Sequence, residues 1–300
     1  MSLISKFVSR YKNYVEYICS EQYYKHQFLT RSELLMHDTL HLQESGVSDE
    51  AYFDSAKVIV SLTTYEKRID EVYLTIESLL QQTMKPNAIY LWLSDQIKEE
   101  DLPLTLKKQC ARGLRVRFCK DIRSYKKLIP TLKLHPDDII ITTDDDVLYN
   151  MDFVESLVRS YRKNPNAVHC NVARKINIEN GKLAKYQQWE HVTKNEYCGL
   201  DVLPIGIGGV LYPSHIFSEE IFNEEMFMDI CCFGDDLWFK VMALLNNVPA
   251  QTTILDAHDK CFLPNPYFNG KCLATENLTG RNDEQIAALQ TKYNFIKHII

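Results

Sequence analysis

Two hydrophobic rhythms alternate through the middle of the chain. KVIVSLTTY (57 to 65) is a short β-branched run of the kind a strand buried on both faces needs, and RIDEVYLTIESLLQQ after it puts Ile69, Val72, Ile76, Leu79 and Leu80 at helical spacing. AIYLWLSD (88 to 95) returns to a strand pattern, so strand, helix and strand in this order predict a right-handed βαβ unit and a parallel sheet. LRVRFCKD (114 to 121) reads as a third strand, KKLIPTLKL as a short helix broken at Pro130, and DIIITTDDD (138 to 146) as a fourth strand. MDFVESLVRSYRKNP then reads as a helix that stops before Pro165.

The flanks differ. Residues 1 to 55 are polar, aromatic-rich and helical in pattern, with Phe28, Leu29, Leu34, Leu35 and Met36 among the apolar positions, and predict a separate N-terminal helical segment. In the second half, AVHCNVARKINIENGKL predicts a hairpin turning at Asn180-Gly181, PIGIGGVLYP a glycine-rich bend into a strand, and DDLWFKVMALLNN a helix with acids at its N-terminus, as the dipole favours. The simplest assembly is one α/β domain over residues 56–300. Its mostly parallel central sheet would be flanked by helices, with the ligand crevice at the carboxyl ends of the strands.

Composition excludes more than it assigns. With 45% hydrophobic and 25% charged residues among 300, the chain has an ordinary globular make-up; a net charge of -6 and a pI near 5.9 lack the basic footprint that nucleic acid requires. The nine cysteines are odd in number and form no C-x-x-C pair, and the adjacent Cys231 and Cys232 suit neither zinc nor a structural disulfide, which fits a reducing compartment. MSLISKFVSRYKNYVEYICSEQYY has charges too close together for a signal-peptide core, and no later apolar run is long enough to span a bilayer. The expectation is a cytoplasmic protein, with peripheral contact at the inner face of a membrane left open. Without a secretory signal, the sequon NLT at 277 to 279 reads as chance.

The candidate chemistry begins where the fourth strand meets Asp144, Asp145 and Asp146. In an extended chain Asp144 and Asp146 point to one side and Asp145 to the other, so two like charges converge, and the usual compensations are protonation or a bound cation. Oxygen ligands of this kind suit Mg2+ or Mn2+, which commonly keep one or two protein carboxylates beside water and substrate phosphates. The alternative is a solvated acidic turn before the next helix, in which Asp152 is the better cap.

VIVSLTTY, AIYLWLSD and ITTDDDVLY together resemble the nucleotide-sugar half of a GT-A-fold glycosyltransferase, with DDD matching the D-x-D motif of that superfamily. SLTTYEKRI, YKKLIPTL and GRNDEQ further resemble bacterial transferases of capsule and lipopolysaccharide assembly, the likeness covering residues 57 to 285. The resemblance implies a nucleotide-sugar half over 56–150 and an acceptor half with a C-terminal lid over 151–300. It also implies a UDP-hexose donor, a glycan or lipid-linked glycan acceptor, and Mn2+ or Mg2+ held by Asp144 and Asp146 and completed by His258, with Asp256 and Asp259 as weaker alternatives.

Carried over in the same way, Thr63, Tyr65, Arg68 and Asp95 would lie near the nucleotide, Lys126 and Lys127 near donor phosphate, and Asp145 near ribose or sugar. Gly208 and Gly209 would lie beside the donor sugar, and Arg281, with Asn282 and Asp283, would close over the diphosphate. Asp235 or Asp236, with a lean to Asp236, would be the base that deprotonates the acceptor in an inverting displacement. Each has a structural alternative: core packing for Tyr65 and Trp189 (otherwise a sugar platform), a turn for Asp95, a solvated pair for Lys126 and Lys127, helix capping for Asp235, Asp236, Asn282 and Asp283, and a structural role for His258. Two rivals remain. A nucleotidylyltransferase of similar fold would normally carry a glycine-rich loop after the first strand, which SLTTYEKRI lacks; a non-catalytic carbohydrate-binding protein would bind sugar without nucleotide or metal.

Overall fold

The computed structural model describes residues 3–54, 56–254, 262–267 and 277–300, with side chains described from residue 21 onward except at 66 and 67. The helix α1 (Leu3–His41) precedes a regular alternation of β1 (Val58–Thr63), α2 (Val72–Leu80), β2 (Ala88–Ser94), α3 (Leu104–Cys110), β3 (Leu114–Cys119), α4 (Ile129–Leu134) and β4 (Ile139–Thr142). Then come β5 (Val147–Tyr149), α5 (Phe153–Lys163), β6 (Val168–Cys170), β7 (Ala173–Lys175), β8 (Ile178–Glu179), β9 (Lys182–Leu183), β10 (Cys198–Gly199), β11 (Val202–Pro204) and β12 (Val210–Tyr212). The last elements are α6 (Glu224–Ile230), α7 (Asp235–Leu245), β13 (Ala250–Thr252), β14 (Phe262–Pro264) and α8 (Asn282–Tyr293).

Eight strands form one sheet in the order β10-β13-β6-β12-β4-β1-β2-β3. The chain steps outward from β1 through β2 to β3, all parallel, and then returns to the other side of β1 as β4. Strand order therefore reverses between β1 and β4, the place where open α/β sheets bind ligands. β12 runs antiparallel between β4 and β6, and β13 is parallel to β6. This is a Rossmann-like, GT-A-type arrangement with an N-terminal helix. β1 has an uninterrupted apolar run because both of its faces are covered: Ile59 packs into one core, and Val58, Val60 and Leu62 into the other.

Two local expectations change and a third holds. β4 ends at Thr142, and its last rung is Thr143 N–H to the Ser61 carbonyl at 3.1 Å, so the aspartates lie on a bend where strand alternation no longer holds. Pro130 sits in the first turn of α4, where a missing N–H costs nothing, so it starts the helix instead of breaking it. The hairpin does turn at Asn180-Gly181, with φ of 51° and 74°, the pair of positive values a type I′ turn needs.

α1 is fastened to the domain by apolar and buried polar contacts. Phe28 and Leu35 pack on Leu148, and Arg31 donates to the Tyr149 carbonyl and to Asn150. Thr39 donates to Glu77, a fully buried carboxylate of α2 that also receives two bonds from Arg112 at 2.7 and 2.8 Å and one from Gln109 at 3.1 Å. These four bonds from three residues give a desolvated charge the compensation it needs. No helix among the described residues is long and apolar enough to cross a membrane.

Lys240, on α7, is the opposite case: it is buried and its Nζ has no hydrogen-bond partner among the described residues. Loss of solvent pushes its amine down from 10.5 to about 7, against the upward pull of Asp201 and the thiols of Cys170 and Cys198. Between pH 7 and 10.5 the unfolded chain therefore binds one more proton than the native chain. Stability should rise with pH across that window at about 1.4 kcal/mol per unit from this group. Lys240→Met should flatten that part of the slope and raise the melting temperature at pH 7. Thermal melts of both proteins between pH 6.5 and 9.5 check this, and equal slopes would contradict it.

Candidate active site

At the reversal point a single ammonium group sits among three carboxylates. Lys127 Nζ lies 2.8 Å from Asp235 Oδ2, 3.1 Å from Asp144 Oδ1 and 3.7 Å from Asp236 Oδ1. The lysine is buried, which alone would lower its pKa, but the three carboxylates hold it well above the usual lysine value. Local structure sets each member. Lys127 closes a short 3-10 turn (Arg123–Lys127), Asp144 follows β4, and Asp235 and Asp236 open α7 after Gly234. Asp235 also accepts from Ser124 at 2.8 Å, and Asp236 Oδ2 from the Gly206 N–H at 2.8 Å.

A second cation serves the other two aspartates. Arg68 donates to Asp145 at 2.5 Å and to Asp146 at 2.8 Å, and Thr64 donates to Asp145 at 2.6 Å. Thr75 of α2 holds the Asp145 carbonyl at 2.9 Å. Tyr149 links the acidic bend to the glycine loop: its hydroxyl accepts the Asp144 N–H at 3.0 Å and donates to the Ile207 carbonyl at 3.2 Å. Burial raises Asp145 to about 6 despite Arg68, and raises Asp146 with help from Asp144. Desolvation likewise pushes Asp236 up to about 7, opposed by Lys127.

The sequence expectations meet this geometry unevenly. Asp145 does not turn away from its neighbours; it shares Arg68 with Asp146 because the chain has left the strand. Lys127 is neither a surface charge nor on an open loop, and Lys126 is buried against Asp121 instead of joining the cluster. Gly208 and Gly209 do not face the carboxylates: a Cβ on the first would strike Val172, and on the second, which has φ of 77°, Phe153. The glycine that matters here is Gly206, whose absent Cβ would stand 2.7 Å from Lys127 Nζ and 3.0 Å from Asp236 Oδ1. Its signal was the run PIGIGG; which of its glycines touches the site depends on how the loop winds.

Thr63 spends its hydroxyl on the Trp92 carbonyl at 2.8 Å, while Tyr65 is exposed with Arg68 5.2 Å from its ring centre, and Asp95 is exposed just past β2. Trp189 is buried and donates to the Ala184 carbonyl, so it is core and not a sugar platform. Arg281 stacks on Phe233 next to α7, and Asp283 accepts the Tyr186 N–H at 2.7 Å. His258, Asp256 and Asp259 lie outside the described residues.

Among the described residues no group of three or more His, Cys, Asp and Glu side chains is set to hold a metal ion. The donor set nevertheless suits a cation that takes only two protein ligands. Asp144 and Asp146 are about one-third exposed, each gives one oxygen to a protein cation, and among the described residues the five carboxylates of the crevice form ion pairs only with Lys127 and Arg68. That excess of negative charge is what a hard divalent ion would relieve.

No protein-family model matches the chain, and no curated protein does. Among solved structures, residues 1–349 of S. aureus TarS in complex with UDP-GlcNAc are 14% identical, with 73% of this chain and 61% of that chain covered and a TM-score of 0.48. The same protein in complex with UDP gives 16%, 69%, 59% and 0.44. A CMP-2-keto-3-deoxy-manno-octonic acid synthetase complexed with CTP gives 12%, 76%, 99% and 0.40. The chain thus spans about three-fifths of these TarS structures. At such scores nothing about the chemistry of this chain follows from the likeness.

Removing the shared cation should expose the cost of the cluster. Lys127→Met leaves three carboxylates without their amine and should cost about 3–5 kcal/mol near neutral pH. In the folded wild type Asp236 binds its proton up to about pH 7, above its ordinary 3.8, so its contribution to stability is present at low pH and fades as pH rises through that window. The deficit of Lys127→Met should therefore be larger at pH 8 than at pH 5 in urea titrations. A pH-independent deficit would contradict the arrangement.

Proposed function

We propose that the protein is a metal-dependent glycosyltransferase that moves a hexose from a UDP-sugar to a hydroxyl of a glycan acceptor, with inversion by direct displacement. The observation that carries this reading is the meeting of Asp144 with Asp236 across Lys127 at the reversal point of the sheet. A donor-side carboxylate and a second carboxylate suited to proton removal then stand on either side of one amine. Asp144 and Asp146 would hold Mn2+ or Mg2+, which when bound supplies Lewis-acid stabilisation of the departing nucleoside diphosphate.

The rest of the reading falls to the chain's own groups. Asp236 is the better base, because Gly206 fixes its Oδ2 while its Oδ1 receives no hydrogen bond among the described residues and lies 3.7 Å from Lys127, beyond bonding distance. Asp235 is committed to Ser124 and Lys127 at 2.8 Å each, which suits it to hold the lysine in place. An acceptor hydroxyl donating to Asp236 Oδ1 would hand its proton there as it attacks the anomeric carbon. Arg68 orients Asp146 and, with Tyr65 exposed beside it, borders the nucleotide side. The absence of glycine from SLTTYEKRI argues against the nucleotidylyltransferase reading.

A panel of UDP-sugars scored for hydrolysis and transfer with Mn2+ or EDTA tests this directly. Activity should require the cation and fall in folded Asp146→Ala. Asp236→Asn should lower kcat on the order of 100- to 10,000-fold while keeping UDP binding. Indifference to chelator would remove the metal, and a selective loss in Asp235→Asn would move the base by one residue.

A further inference from the structure

On the Asp236 side of the crevice, two polar side chains end without an acceptor. Arg174 is the middle residue of β7 and pairs with Leu203 of β11. The same ladder continues as Ile205 N–H to the Val172 carbonyl at 2.9 Å, and the next residue is Gly206, whose N–H holds Asp236. Arg174 Nη1 donates to the Trp189 carbonyl at 2.8 Å, and its Cζ lies 5.0 Å from the centre of the Tyr186 ring. Its Nε and Nη2 make no hydrogen bond, and its charge enters no ion pair, among the described residues. Neither nitrogen is enclosed, so both meet solvent.

Tyr186 repeats the pattern. The residue is 8% exposed, yet its hydroxyl makes no hydrogen bond among the described residues and is not enclosed either. Other contacts hold it in place: its N–H donates to Asp283 at 2.7 Å, and its ring centre is 5.3 Å from that of Trp189. Burial pushes its phenol up to about 12, Arg174 pulls it back, and Asp236 is the one crevice carboxylate that adds to the rise. The hydroxyl therefore stands on the side of Asp236 and not of the bend that carries Asp144, Asp145 and Asp146.

Arginines withdrawn from water are normally paired, and a largely buried tyrosine normally finds a partner for its O–H. Here a guanidinium and a phenol share one wall and leave their donors to whatever enters the crevice. The planar guanidinium matches a carboxylate or a phosphate. A free small anion would be repelled by the five carboxylates nearby, so the anionic group has to arrive on a larger molecule held by further contacts.

We propose that Arg174 and Tyr186 form a subsite for an acidic sugar, in which Arg174 selects a carboxylate or phosphate on the acceptor and Tyr186 donates its O–H to the same sugar. That this sugar is the acceptor rests on the reading of Asp236 as the base. The preference for an anionic sugar rests only on the two residues themselves.

Calorimetric titrations with glucuronic and galacturonic acid, glucose and galactose 6-phosphate, and neutral glucose and galactose, each with UDP and Mn2+ present, test this. In the wild type at least one acidic sugar should bind on the order of tenfold tighter than its neutral parent, and comparing uronic acids with phosphates tells which group is read. Arg174→Gln should erase that preference, and Arg174→Lys should keep part of it. Tyr186→Phe loses a hydroxyl with no internal bond, so it should melt at the wild-type temperature and still bind acidic and neutral sugars several-fold more weakly. If an acidic sugar binds through Arg174 while UDP does not bind at all, the subsite stands and the glycosyltransferase reading fails. If UDP binds but no sugar does, if acidic sugars bind no tighter than their parents, or if Arg174→Gln keeps the preference, the subsite is wrong.

Discussion

Lys127 placed among Asp144, Asp235 and Asp236 is the contact on which the site's architecture depends. A buried amine is tolerated only when carboxylates compensate it, and buried carboxylates only when an amine does. Each of these groups therefore fixes the elements that carry the others. Asp144 comes from the end of β4, Lys127 from the turn before α4, and the pair Asp235 and Asp236 from the start of α7. The geometry leaves no room for a side chain at residue 206, where Gly206 brings its N–H to Asp236. It also explains why Tyr149 bridges the acidic bend and the glycine loop, since both must stay in register around the same amine.

The electrostatic balance is uneven: among the described residues two cations serve five carboxylates, and burial makes Asp145 and Asp236 hold protons at pH values where exposed carboxylates are bare. Such a site is poised to accept positive charge or to exchange a proton. The rim supplies a different character, because Arg123 and Arg281 both lie against Phe233, two residues before the acidic pair that opens α7. A ligand that is anionic at one end and brings a divalent cation with it would satisfy both regions at once.

Much of the framework could be read in the sequence because local patterning and tertiary demand agree there. The runs that became β1, β2 and β3, the periodic helices α2, α5 and α7, and the Asn180-Gly181 turn all follow from side-chain spacing or positive φ. The three aspartates stood out because charge follows a buried strand. Less was legible where contacts are distant in sequence. Nothing local in YKKLIP separates Lys126, which pairs with Asp121, from Lys127, which meets residues more than a hundred positions away. Nothing in PIGIGG marks Gly206 over Gly208, and the conversion of Glu77 into a buried anchor for α1 depends on Arg112 and Thr39. Trp189 could only be assigned to the core once its neighbours Tyr186 and Ala184 were in place.

The central claim is that the reversal point between β1 and β4 is a nucleoside-diphosphate site. Hydrogen exchange of the wild-type protein, with and without UDP and Mn2+, reads this segment by segment. The account predicts slowed exchange in residues 63–71, 142–149 and 205–209, which border the crevice, with little change in the β8–β9 hairpin. Unchanged exchange in all three crevice segments at saturating UDP, or protection confined to surfaces away from Lys127, would contradict it.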